Sequence, residues 1–106
     1  MNAVNAYFAG LIDGEGHIKY ARRSDRPTPR AMVQVQMTDE EVVRLLKEQY
    51  GGQVCFRPRR LDHYKDVWRW RVWNNQAISC LYEIRPYLIV KARDADAVLA
   101  AVKGGP

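Results

Sequence analysis

Two carboxylates, Asp13 and Glu15, alternate with Gly14 and Gly16 in the stretch Tyr7–Ile18, which reads Y-F-A-G-L-I-D-G-E-G-H-I. Carboxylate oxygens are the hard donors that a divalent cation takes, and flanking glycines let the backbone come close to whatever is held. Upstream the stretch is apolar, with the small residues Ala9 and Gly10 in its middle, and it reads as a short helix that the glycines break. Downstream it alternates like a strand from His17 onward. Taken alone, D-G-E-G is an acidic turn after a helix. The small pair Ala9-Gly10 would permit close helix–helix contact, and a basic strand face starts just past Gly16; together these point to a site.

The elements that must position these acids are legible from periodicity. Asn5 is a plausible N-cap for a first helix over Ala6 to Asp13. His17 to Arg23 alternates, with Ile18 and Tyr20 on one side and His17, Lys19, Ala21 and Arg23 on the other. Ser24 to Pro29 holds two prolines and charged residues and reads as a loop. Arg30 to Met37 sets Ala31, Val33 and Val35 against Arg30, Met32, Gln34 and Gln36. Thr38-Asp39-Glu40-Glu41 has the form of a capping box and opens a helix to Tyr50, stopped by Gly51-Gly52. Gln53 to Arg59 is a third strand with Val54 and Phe56 inward, and Pro58 places its end at a sheet edge. After a basic hairpin loop, Asp66 to Trp73 forms the fourth strand, with Trp68, Trp70 and Val72 on its apolar face. Asn74 or Asn75 caps a third helix ending near Pro86, and a last helix runs from about Ala92 to Val102. The expected fold is α+β, αββαββα with a four-stranded antiparallel sheet, helices on one face, a free saddle on the other, and a C-terminal helix.

The 106 residues suit one domain over positions 1–106, and 47% hydrophobic content argues for a packed core. A net charge of +5 points to an anionic partner, most plausibly nucleic acid, although charge alone fits a generally basic surface equally well. Cys55 and Cys80 fall in an expected strand and an expected helix without metal-type spacing, so both are expected as reduced, partly buried thiols. The N-terminus lacks the basic residues of a secretory signal, and no apolar run approaches the roughly 20 residues of a membrane helix. The expectation is an intracellular protein with no membrane partner and no small-molecule cofactor.

The segment Phe8-Ala9-Gly10-Leu11-Ile12-Asp13-Gly14-Glu15-Gly16 resembles the LAGLIDADG motif of homing endonucleases, with Phe8 in place of Leu and Glu15 in place of the second Asp. In that family the second acid of the motif is the metal ligand, which carries over to Glu15. The carbonyl of Gly14 would complete this chain's share of an Mg²⁺ site that Mn²⁺ or Ca²⁺ can also occupy. Asp13 falls in the helix's last turn, where its carboxylate suits a cap for a neighbouring turn or a partner helix. The family has a site lysine in a P-x-L-x-x-K context, matched by Lys91 after Pro86-Tyr87-Leu88. It also has a water-ordering polar residue near the end of the second strand, a role Gln36 can take and Met37 cannot.

A single motif in a short chain resembles the homodimeric members, so Phe8, Ala9, Gly10, Ile12 and Asp13 are expected at the dimer interface. The resemblance implies a site-specific, Mg²⁺-dependent endonuclease of intron or intein mobility. It would cut both strands of a long, nearly palindromic duplex across the minor groove, with the sheets in the flanking major grooves. The expected DNA contacts are His17, Lys19, Arg23, Arg26, Arg30, Gln34, Arg57, Arg59, Arg69 and Arg71. Trp68 and Trp70 are expected in the core, while Trp73, of opposite parity, fits either role. The expected setting is the cytoplasm of a prokaryotic or phage-infected host, or an organelle. The alternatives are an RNA maturase or a non-catalytic DNA-binding regulator with the same fold.

Overall fold

Alternation of apolar and polar side chains gives the chain four strands whose apolar residues must share one face. The computed structural model describes residues 2–21, 30–58 and 65–103, without the side chains of Ala21 and Lys103. It contains strands β1 (Gly16–Ala21), β2 (Arg30–Met37), β3 (Gln53–Arg57) and β4 (Val67–Trp73). They form one antiparallel sheet in the order β1-β2-β4-β3. Helices α1 (Ala3–Glu15), α2 (Glu40–Tyr50), α3 (Asn74–Ile84) and α4 (Ala92–Lys103) complete the domain, with a 3₁₀ turn at Arg85–Tyr87. The architecture is α+β, in the order the alternation implies.

Register makes the apolar face continuous. Ile18 lies opposite Val33, and Val33 opposite Val72; Trp70 lies between Val35 and Val54, and Trp68 between Met37 and Phe56. Helices α1, α2 and α3 supply Phe8, Ala9, Ile12, Val43, Leu46, Ala77, Leu81 and Ile84 to the same core, and α4 adds Ala95 and Val98 beside β1. Trp70 is fully buried, and its indole N–H donates to the Gly51 carbonyl at 2.8 Å, so its polar atom is satisfied. Gly52 sits at φ +90° against β4, where an added Cβ would lie 2.4 Å from the Arg71 carbonyl oxygen. That position requires glycine for both reasons.

Several helix ends differ from the sequence expectation. Asn2, not Asn5, caps α1, its side chain accepting from the Asn5 N–H. Asn5 is buried and takes a hydrogen bond from the Tyr50 hydroxyl at 2.8 Å, which ties α1 to α2. Burial first, with Cys80 and Glu83 adding to it, pushes the Tyr50 phenol up. The glycines do not break the first helix: α1 runs through Gly14 to Glu15, and Gly16 begins the strand. A Cβ at Gly16 would lie 2.9 Å from the Ile12 carbonyl, so the close helix-to-strand turn needs its absence. Asp39, not Thr38, caps α2, its carboxylate accepting from Val42 N–H. Asn74 makes no capping bond to α3; Trp73 precedes the helix, and Asn74 takes a positive φ of 53°. Strand β3 ends at Arg57, and Cys55 is exposed while Cys80 is buried.

Candidate active site and nucleic-acid interface

The last turn of α1 separates the two acids. Both carboxylate oxygens of Asp13 are occupied: Oδ1 accepts from the Lys91 N–H at 2.9 Å and Oδ2 from the Ile89 N–H at 2.7 Å. Asp13 therefore caps the turn that leads into α4. Burial pushes its carboxyl up, but backbone hydrogen bonds from Lys91, Ile89 and Val90, together with the Lys91 charge, outweigh this and hold it below the ordinary carboxylate value. Both of its oxygens are engaged inside its own chain. Glu15, the last residue of α1, projects into solvent.

Lys91 is drawn to the same place. Its ammonium donates to the Asp13 carbonyl at 2.7 Å, so its backbone and its side chain both hold the end of α1. A cation there complements the partial negative charge of the helix's C-terminal carbonyls. Gln36 arrives from the second strand. Gly16 pairs with Val35, so Gln36 lies one residue past that pair, at the end of the sheet from which Glu15 leaves. Lys91 thus binds the end of α1 from which Glu15 leaves, and Gln36 lies one residue beyond the strand pair that begins there.

Burial also redraws the outward face of α1. Phe8 is 5% exposed, and Ala9 and Ile12 are fully buried. These three pack against this chain's own sheet, and Phe8 also lines the groove beside the helix. Ala9 is small because the helix lies close on the sheet. Gly10 remains exposed, and an added Cβ there would meet nothing within 4 Å, as would one at Gly14. With Val4 and Tyr7, at 46% and 57% exposure, they form a stripe along the free side of the helix. Beside it runs an open apolar groove of about 460 Å³ lined by Val4, Tyr7, Phe8 and Leu45 among others.

The face of the sheet opposite the core is a basic lattice. His17 and Lys19 are exposed on β1; Gln34, Arg69 and Arg71 are half-buried further in; Arg57 and Cys55 are exposed on β3. One row runs His17, Gln34, Arg71, Gln53 across the four strands. The Gln34 amide oxygen accepts from Nε of Arg71 at 2.9 Å and from Nη2 at 2.5 Å. Arg30 and Arg71 lie over the Trp73 ring, at 4.6 and 5.4 Å from its centroid. Trp73 thus belongs to this basic face and holds its arginines in place. Burial first, then the nearby Arg69 and Arg57 charges, pulls the Arg71 pKa down, with Cys55 opposing. A hollow of about 210 Å³ lined by Gln53, Cys55, Arg69, Arg71 and Trp73 opens on the same face. Gln53, which the sequence reading did not single out, joins this face on the parity of Cys55 and Arg57. Arg23, Arg26 and Arg59 lie outside the described residues.

Among the described residues no three His, Cys, Asp or Glu side chains converge as a metal cage. The donors at the end of α1 are oxygen only, the exposed Glu15 carboxylate and the carbonyl of unobstructed Gly14. Such a set fits Mg²⁺ or Ca²⁺, which retain waters and accept ligands from substrate, and does not resemble the nitrogen and sulfur donors of zinc.

The homing endonuclease I-CvuI, in complex with its target in the presence of Ca, superposes with a TM-score of 0.76 over 94% of this chain, at 23% identity. The LAGLIDADG homing endonuclease I-GzeII, in complex with a DNA target, does so with a TM-score of 0.63 over 93%, at 15% identity. The chain has the LAGLIDADG homing-endonuclease fold. A third LAGLIDADG-like match is the archaeal intron-encoded homing endonuclease I-Vdi141I complexed with DNA, with a TM-score of 0.66, 95% coverage of this chain and 19% identity. The chain spans 66% of the length of the I-CvuI chain, 70% of I-Vdi141I and 36% of I-GzeII. No protein-family model and no curated protein sequence matches it. Helix α1 carries Phe8–Glu15 of the segment that resembles the LAGLIDADG motif, and Glu15 is the last residue of the helix.

Proposed function

We propose that this chain is a site-specific DNA endonuclease that acts as a homodimer and hydrolyses phosphodiesters with a divalent cation, Mg²⁺ in the cell. The observation that carries the reading is the junction at the end of α1. Glu15 leaves it as an exposed carboxylate, Lys91 binds the adjoining turn through its ammonium, and Gln36 lies in register at the neighbouring strand end, at the margin of a basic sheet face. Solved structures of the same fold hold DNA targets, one of them in the presence of Ca and another with Mg and uncleaved DNA.

Glu15 and the Gly14 carbonyl would hold the cation. When bound, it supplies activation of water and neutralisation of the leaving oxygen. Gln36, with both an acceptor and two donors, orients the attacking water. Lys91 commits one N–H to the Asp13 carbonyl and keeps two for a phosphate oxygen, which places positive charge where negative charge grows. The basic sheet face binds the duplex, and its arginines give the complex a steep salt dependence.

One chain supplies a single carboxylate, and the two strands of a duplex need two sites. A second copy packed two-fold on the Val4, Tyr7, Gly10 and Gly14 stripe would bring its own Glu15 beside this one and match a nearly palindromic target. No helix among the described residues is long and apolar enough to cross a membrane. The reading places the chain where DNA is, inside a cell or an organelle.

Incubating the protein with a plasmid that carries its native insertion locus, with and without Mg²⁺, tests this. Discrete, metal-dependent double-strand cuts are expected, and Glu15→Gln should lower cutting at least a hundredfold with DNA binding retained. Cutting by that variant at the native rate would remove Glu15 from the site. Tight binding without cutting under any divalent ion would favour the DNA-binding regulator, and gel filtration of a monomer on its DNA would sink the two-fold arrangement.

A further inference from the structure

Glutamine on a DNA-facing strand ordinarily reads adenine, because its amide offers one donor and one acceptor to match N7 and N6. Gln34 is not free to do so. Its oxygen takes two N–H groups of Arg71, at 2.9 and 2.5 Å, which fills both lone pairs. Arginine has no acceptor, so the amide orientation follows from chemistry: the oxygen faces Arg71 and the NH₂ group faces away. Of the five guanidinium N–H groups two are spent on Gln34, and the rest point elsewhere. The side-chain groups that this cross-strand pair offers to a ligand are therefore all donors.

The pair is also held still. Arg71 lies half-buried over Trp73, which Arg30 covers as well, and the two Cα positions face each other in the β2–β4 register. A fixed surface of several donors is matched best by the base edge with two adjacent acceptors. In the major groove that is guanine, with O6 and N7; thymine offers the single acceptor O4 beside an apolar methyl, and adenine and cytosine each turn an amino group toward the protein. Resting on the reading that this sheet face binds duplex DNA, we infer that Gln34 and Arg71 act as one unit that selects guanine. Gln34 is a specificity residue whose usual adenine preference its partner has switched off.

Binding-site selection from a randomised duplex library tests this with the native protein, Arg71→Leu and Gln34→Leu. The native protein should enrich guanine over adenine about tenfold or more at one position of each half-site, a typical worth for a bidentate base contact. In Arg71→Leu the Gln34 amide recovers its acceptor, and the same position should shift to adenine. In Gln34→Leu Arg71 keeps its donors but loses the brace that fixes them, so guanine enrichment should fall severalfold without a shift to adenine. Either variant suffices if the other does not fold. A native adenine that Gln34→Leu abolishes would overturn the inference, as would unchanged preferences in Arg71→Leu. A loss of affinity equal for all sequences would also overturn it, since it would mean phosphate contact. If the native protein selects a defined duplex but no such guanine, the inference fails alone; if it selects no duplex at all, the DNA-binding reading fails with it.

Discussion

The two faces of the sheet are built from the same strands, alternate residue by alternate residue, yet they obey different physics. On the helix side Val33, Val35, Trp70 and Val72 are fully buried, and Trp70 even satisfies its indole N–H on Gly51. On the other side Arg57, Arg69 and Arg71 share one face, and Gln34 and Trp73 hold Arg71. The first face gains free energy from burial as soon as the chain folds. The second brings like charges together, a repulsion that a bound polyanion would offset under the proposed function. A face that costs stability by itself is best explained by a partner, and the comparison separates side chains that hold the fold from side chains that await a ligand.

Substitutions should divide along the same line. Trp70→Ala removes the largest fully buried side chain and leaves a cavity, and a loss of about 3–5 kcal/mol is expected in urea unfolding. A loss below 1 kcal/mol would mean that the helix side is not the stabilising one. Asp13→Asn tests the junction between the two. Because folding lowers the Asp13 pKa from its ordinary 3.8, the ionised group contributes stability that is full above that value and is lost as pH falls through the lower folded one. Asp13→Asn should cost about 1 kcal/mol at neutral pH and flatten acid unfolding below pH ~4, as read by thermal melts across pH. Arg57→Gln, on the exposed edge strand, should change stability by less than about 0.5 kcal/mol in either direction. It should weaken DNA binding and lower the slope of log affinity against log salt by about one. A destabilised Arg57→Gln would blur the distinction between the faces.

Much of this was legible in the residues. Alternation named the four described strands and most of their faces, because a half-buried strand has a period of two that neighbouring loops do not imitate; Phe56, expected inward, is 47% exposed, and Met32 and Val67, expected outward, are buried. The motif stretch marked the end of α1, and the suggestion that Asp13 serves as a cap rather than a cation ligand agrees with its bonds to Ile89 and Lys91. Helix starts were read less well. Asn2 and Asn5 are equally good caps on paper, and so are Thr38 and Asp39; the choice falls to which one is also wanted elsewhere, as Asn5 is by Tyr50. Gln53 was overlooked at a strand's first position, and Trp73 could not be assigned until Arg30 and Arg71 were seen over its ring.

The sequence by itself determined the element order, the sheet's two chemistries and the residue types at the end of α1, since each depends on neighbours within a few positions. Tertiary structure alone decided the phase of α1. Ala9 and Gly10 are adjacent and both small, about 100° apart around the helix axis, and nothing local says which faces in. Docking on the sheet buries Ala9 with Phe8 and Ile12, and turns Gly10 and Gly14 outward with Tyr7. It likewise decided that Gln34 lends its oxygen to Arg71, a bond between residues 37 positions apart that only strand register brings within reach.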